Sequence, residues 1–245
     1  MTPIMKHLVF TNLLIFSFVL FANNACAQSN RITNRNYDVT AFSAMVSNTV
    51  GNIEYTPSSH YSVSAEGNEE MVNNLVVTVQ NSQLNLSMKK NLKRLFGNRR
   101  SGKLVIRISS PSLNFIESNG VGNIELKGTL DTPQFKIVST GVGNIAAQHF
   151  TSGNIDITSE GVGNIEIKGS ATSVSVVSKG VGNVKLENLK AARVRIESDG
   201  VGNVSCHATE SVDINTDGIG NVTYYGNPRT KNISKGGIGK VRPGD

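Results

Sequence analysis

The chain has 245 residues, 24 Lys and Arg against 18 Asp and Glu, no Trp, and 6 Pro beside 24 Gly. A net charge of +6 is too small for the basic stripe that a dedicated nucleic-acid binder carries, so nucleic acid is excluded as the main partner. Of the two cysteines, Cys26 lies in an N-terminal leader, and the remaining Cys206 can form no internal disulfide. Stability must then come from burial and hydrogen bonding.

At the N-terminus, Lys6 precedes an apolar run from Leu8 to Ala22 that closes on Ala25-Cys26-Ala27. That run is too short to favour a permanent span, and polar Asn23 and Asn24 follow it. Residues 1–27 read as a signal peptide cleaved after Ala27, which makes the protein exported: periplasmic, on the outer-membrane surface, or secreted. Acylation at Cys26 is the alternative, but Asn23 fits poorly where lipoprotein signals prefer an aliphatic residue.

Residues 28–110 alternate apolar and polar positions without a tight repeat, and read as irregular β coils continuous with the repeated half of the chain. Val39–Val46, Tyr61–Ala65, Leu75–Gln80, Leu84–Met88 and Lys103–Ser109 read as strands. No helix is expected beyond the leader. Between two of these strands lie Lys89, Lys90, Lys93, Arg94, Arg99, Arg100 and Lys103 with no acidic residue among them. This is either a solvated loop or a contact for anionic glycan or lipid headgroups.

Residues 111–245 repeat. Gly-(Val/Ile)-Gly-Asn-(Ile/Val) starts at Gly120, Gly141, Gly161, Gly180, Gly200 and Gly218, with a degenerate copy at Gly237 and spacings of 18 to 21 residues. A partial copy, Val50-Gly51-Asn52-Ile53, lies far upstream. In register with the glycines run aliphatic columns such as Ile116, Ile137, Ile157, Val176, Ile196 and Ile214, and Ile124, Ile145, Ile165, Val184, Val204 and Val222. Each unit is therefore a strand, a glycine corner and a second strand. One such unit cannot bury its own apolar columns, but stacked units bury them continuously. The fold class is then all-β: a single-stranded right-handed parallel β-helix (β-solenoid) of about 20-residue coils, with a less regular N-terminal β region. Glycines supply the corner's positive φ, Asn tolerates it, and the β-branched residue between the glycines is expected to point inward. Asn123, Asn144, Asn164, Asn183, Asn203 and Asn221 should stack as a ladder of amides. Lys240 replaces this Asn in the last copy, a charge that blocks edge-to-edge polymerisation.

The exported N-terminus, the Asp38-to-Ser47 opening with Phe42, the Val50-Gly51-Asn52-Ile53-Glu54-Tyr55 strand, the Pro111-Ser112-Leu113 lead-in and the glycine series together resemble the head GIN domain family of auto-transporter adhesins, common in Bacteroidetes. The resemblance covers nearly all of residues 38–242. It implies a parallel β-helix on an exported protein with no established activity. The chain carries neither a membrane-anchoring barrel nor a trimeric coiled-coil stalk, which does not fit autotransport.

Parallel β-helices also carry polysaccharide-cleaving sites on outward residues of adjacent coils. The one patch of this kind is Arg195, Glu197 and Asp199 on one coil with Asp213, Asn215 and Asp217 on the next, a candidate ligand or Ca²⁺ contact. His149 and His207 lie in separate coils, Cys206 falls in a core column, and no nucleophile elbow or phosphate loop occurs. The sequence thus reads as a non-enzymatic envelope or surface scaffold that needs no cofactor and binds a glycan or surface protein. A carbohydrate-active enzyme or Ca²⁺-dependent polysaccharide binder is the alternative.

Overall fold

The computed structural model describes residues 31–89 and 103–244, and from Ile32 onward the chain forms one compact unit. The signal peptide expected at residues 1–27 lies outside the described residues. The elements are β1 (Ile32–Tyr37), β2 (Ala44–Asn48), β3 (Asn52–Pro57), β4 (Ser62–Asn68), α1 (Glu69–Asn74), β5 (Leu75–Gln80), β6 (Gln83–Met88) and β7 (Leu104–Ser110). After them come β8 (Phe115–Ser118), β9 (Ile124–Ser139), β10 (Ile145–Ser159), β11 (Ile165–Ser178), β12 (Val184–Ser198), β13 (Val204–Thr216), β14 (Val222–Tyr225), β15 (Thr230–Lys235) and β16 (Val241–Pro243).

From β8 onward every pairing to the next coil is parallel, giving a β-solenoid of about 6 turns, about 20 residues apart. Ile124, Ile145, Ile165, Val184, Val204 and Val222 pair directly with one another and are all buried. Burial of each such side chain is worth roughly 1.5–3 kcal/mol, and only stacking supplies it, because an isolated coil would leave both flat sides open. Phe135 and Phe150 meet edge-on in the same interior, their ring centroids 4.9 Å apart.

The corners differ from the sequence expectation in two respects. Val121, Val142, Val162, Val181, Val201 and Ile219 point outward, 47–53% exposed, and bridge one another along the stack. Side-chain parity explains this: Val142 lies three residues before inward Ile145, so simple alternation puts it on the opposite face. The positive φ also belongs to the second glycine alone. Gly182 sits at φ +146°, whereas no corner Asn has a positive φ. The inward positions at the corner are taken by glycine and serine. A Cβ on Gly180 would lie 2.2 Å from the Gly161 carbonyl oxygen, so the coils approach too closely there for any side chain. Behind the corner, the carbonyl of buried Ser139 accepts from both Glu160 N–H (2.8 Å) and Gly161 N–H (2.9 Å).

At the N-terminal end the chain order and the spatial order part. β2 and β3, joined by the Val50-Gly51 corner, stack beneath β8 and β9; beneath them lie β6 and β7, again parallel. β6 and β7 thus take the two strand positions that flank the corner in every later coil. Beyond them β4 pairs antiparallel with β7 and β5 antiparallel with β6, and β1 closes the edge antiparallel to β4. A short helix, α1, joins β4 to β5, in contrast to the expectation of none. Asn68 caps it by accepting from Glu70 N–H, and Glu69 and Glu70 occupy its first turn, where carboxylates suit the helix dipole.

At the other end, β15 is exposed along its whole length. Its inward columns carry Lys231 against Val212 and Lys235 against Thr216. Two of its three inward positions thus carry cations in place of core residues, Ile233 against Ile214 keeping the third, and among the described residues no further coil covers them.

Candidate functional site

Because consecutive coils keep register, outward residues also line up in columns, and two such columns bound an open trough on the face built by the second half of each coil. Asn114, Gln134, Lys136, Asn154, Asp156 and Ser173 line a hollow of about 440 Å³. Asp156 and Ser173 continue into a second hollow of about 230 Å³ bounded by Arg193, Arg195, Ser211 and Asp213. Together the two span the coils of β8 to β13. Five steps at the usual strand spacing make this about 24 Å. The trough floor is strand backbone already paired between coils, so what it offers a ligand is side-chain amide, hydroxyl, guanidinium and carboxylate groups in rows.

The sequence candidates fall at or beside the C-terminal end of this trough. Arg195 and Asp213 are directly opposite each other and joined by a 2.9 Å ion pair, with side chains 68% and 42% exposed. Glu197 lies opposite Asn215 in the neighbouring outward column and is 3.6 Å from Lys179. Asp199 and Asp217 sit beside the corner, where their N–H groups donate to the carbonyls of Ser178 and Ser198. The carboxylates are therefore spread over three columns and partly paired with cations. Among the described residues no three His, Cys, Asp or Glu side chains converge as a metal site would require. Gln134, Asn154 and Ser173, among the uncharged lining residues, do not stand out in the sequence; their outward position and shared register are the available signal.

Of the basic run, Lys89 is tied to the end of α1: its N–H donates to Asn74 O (2.9 Å) and its Nζ to Asn73 O (3.2 Å). Lys90, Lys93, Arg94, Arg99 and Arg100 lie outside the described residues.

The corner asparagines form a continuous chain of hydrogen bonds. Asn144 N–H and Nδ2 both donate to Asn123 Oδ1, at 2.9 and 3.3 Å. Asn164, Asn183, Asn203 and Asn221 each repeat the pattern on the residue before. The chain starts one coil earlier than the repeat count suggests, at Asn52, which accepts from Asn123 N–H, and ends where Asn221 accepts from Lys240 N–H. Each Oδ1 thereby satisfies a corner N–H. Cys206 is fully buried in its column, and burial pushes its thiol up to about 12, which leaves it unreactive when folded.

The family profile described as putative auto-transporter adhesin, head GIN domain, matches residues 41–228. The chain belongs to this family. Among solved structures, a putative adhesin from Bacteroides fragilis is 35% identical, covers 88% of this chain and 98% of its own, and superposes with a TM-score of 0.80. A putative lipid binding protein from Parabacteroides distasonis (21% identical, 89% of this chain and 98% of its own, TM-score 0.66) shares the fold. So does a putative adhesin from Parabacteroides merdae (16% identical, 89% and 98%, TM-score 0.66). No curated protein matches the chain. Among the described residues of this head GIN domain, no helix is long and apolar enough to cross a membrane.

Proposed function

We propose that this head GIN domain protein is exported, non-enzymatic and adhesive, and that it holds an extended glycan or surface protein along the trough between Asn114 and Asp213. The observation that carries this reading is the run of amide, hydroxyl, guanidinium and carboxylate side chains held in shared register over several coils. A linear polymer laid across the strands meets a hydrogen-bonding side chain at each step, so modest contacts sum over its length. The family description and the 35% identical Bacteroides fragilis protein, both named for adhesion, support the reading. Export rests on the leader at residues 1–27.

The test is a glycan array probed with the processed chain, beside Asn154→Ala and Arg195→Ala variants. Capture of acidic or neutral linear glycans that weakens in both variants supports the proposal. Silence across the array, or capture indifferent to both changes, sinks it. Surface protease shaving of intact cells tests export: loss of the protein from unpermeabilised cells places it outside, whereas recovery only in the cytosol refutes the leader assignment.

A further inference from the structure

The outward aliphatics at the glycine corner are a second surface, independent of the trough. Val121, Val142, Val162, Val181 and Val201 stand in single file, each about half exposed, and the file continues to Ile219 (53%) and Ile238 (73%). From Val121 to Ile238 it crosses seven coils, so it is about 29 Å long at the usual strand spacing; Val50, in register with Val121, is half-buried against the core. A soluble protein rarely leaves so long an unbroken apolar file open to water. The main chain beneath it is already satisfied: Val142 N–H donates to Gly120 O and Gly122 N–H donates to Val142 O, both at 2.9 Å, and the pattern recurs in every coil. Dry contact there would strand no backbone group.

The neighbours of the file indicate its occupant. On one side is the asparagine ladder. On the other are the residues just before the first glycine: Asn119, Thr140, Glu160, Lys179, Asp199 and Asp217. That flank holds three acids and one lysine, which an anionic lipid surface would repel. It is nevertheless self-complementary. When a second copy is laid antiparallel, about a two-fold axis between Val162 and Val181, Val162 meets the partner's Val181, Val142 meets Val201, and Val121 meets Ile219. The same operation sets Glu160 against Lys179 twice, Thr140 against Asp199, and Asn119 against Asp217. Thr140 Oγ1 already donates to Asn119 Oδ1, and Asn119 Nδ2 to Asn48 and Glu117, so the complementarity rests on the reciprocal Glu160–Lys179 pair, while the asparagine ladders face each other. A parallel pairing offers no such match, because it sets the acidic flank against the ladder.

We propose that the corner ridge is a homodimer interface, formed by two copies of this chain packed antiparallel with Glu160 and Lys179 as its reciprocal charge lock. Three side-chain columns about 14 Å wide along about 29 Å bury on the order of 800 Å² in total, below the usual size of a specific interface, so the dimer is weak and concentration-dependent. Isologous pairing of this kind closes after two copies.

Sedimentation velocity on the chain as processed by an exporting host tests this. The sedimentation coefficient should rise with concentration to a dimer limit. Glu160→Lys and Lys179→Glu should each raise the dimer dissociation constant about tenfold or more, since each puts two like charges face to face. The double exchange Glu160→Lys/Lys179→Glu should return it to the wild-type value, a recovery that a folding defect would not produce. Val162→Asp, outward and away from the core, should abolish dimerisation at an unchanged melting temperature. A monomer at every concentration up to about 1 mM, or single reversals without effect, overturns the proposal. So does a monomer that pellets with phosphatidylcholine or phosphatidylglycerol vesicles and loses that binding in Val162→Asp, since lipid would then be the occupant. Failure here leaves the trough reading standing, because none of these residues lines the trough.

Discussion

Gly182→Ala isolates what the corner demands. Gly182 holds φ +146°, in the region open essentially to glycine alone, and a Cβ there would sit 1.9 Å from Gly163 O and 2.6 Å from Gly163 C. The backbone strain costs about 1–3 kcal/mol. Relieving the clash is harder, because both groups belong to stacked coils: the coils must part by more than about 1 Å to restore van der Waals contact. That stretches the 2.9 Å bonds from Gly163 N–H to Val181 O and from Val181 N–H to Gly161 O beyond hydrogen-bond range. Three or four such bonds at about 0.5–1.5 kcal/mol each bring the total to about 2.5–9 kcal/mol. For a domain of this size, that lowers the melting temperature by about 5 °C or more. Gly128→Ala is the internal control: its φ is also positive (+73°), but the nearest atom to its Cβ would be Pro57 Cδ at 3.5 Å, so only the left-handed backbone cost of about 1–2 kcal/mol applies. Thermal unfolding followed by far-UV circular dichroism compares the two. Were Gly182→Ala to melt within about 3 °C of wild type, or no lower than Gly128→Ala, close stacking at the corner would not be what requires glycine.

The same geometry sets further outcomes. Asn164→Ala removes the acceptor of both Asn183 N–H (2.9 Å) and Asn183 Nδ2 (3.0 Å) and should cost about 1–3 kcal/mol in urea unfolding. Asn221→Ala, which strands only Lys240 N–H at the open end, should cost less. Arg195→Ala breaks an exposed ion pair, so stability should change by less than about 1 kcal/mol while glycan capture falls; a large stability loss would make it a structural residue instead. The Cys206 thiol keeps its proton up to about 12 when folded but releases it at its ordinary value of 9.0 when unfolded. The folded state therefore binds the extra proton between those values. This contribution is intact below pH 9 and is lost as pH rises towards 12, at up to about 1.4 kcal/mol per pH unit. Cys206→Ala should lack that component of the slope, and wild-type Cys206 should react with a thiol reagent at pH 8 only as fast as the chain unfolds.

How far the sequence could be read depended on how tightly stacking constrains each position. Inward columns are held by burial on both neighbouring coils, so they recur as Ile124, Ile145 and Ile165 and were legible at once. The outward turn of Val142 was legible too, by counting three residues to Ile145, but β-branching suggested burial and parity prevailed. Helix α1 was harder. Its six residues are too few for a 3.6-residue period to show, and Asn68 with Glu69 and Glu70 was the only local sign. The N-terminal end was hidden for a different reason: β2 pairs with β6 and β8 and β3 with β7 and β9, and no local pattern encodes such non-consecutive pairing.

The trough was the least legible part, and the reason bears on where function resides. Solvent imposes no period on outward residues, so Gln134, Asn154, Ser173 and Arg193 share a register without sharing a chemistry. Charge drew attention to Arg195 and Asp213, while the neutral amides that complete the surface carry no such signal. A solenoid whose interior repeats can vary its outward columns freely without disturbing the stack, because each outward side chain touches only its neighbours above and below. Ligand discrimination in such a scaffold therefore belongs to positions where the repeat is broken. Exchanging Gln134, Asn154 and Ser173 together for Thr should retain the melting temperature to within a few degrees while changing which glycans are captured.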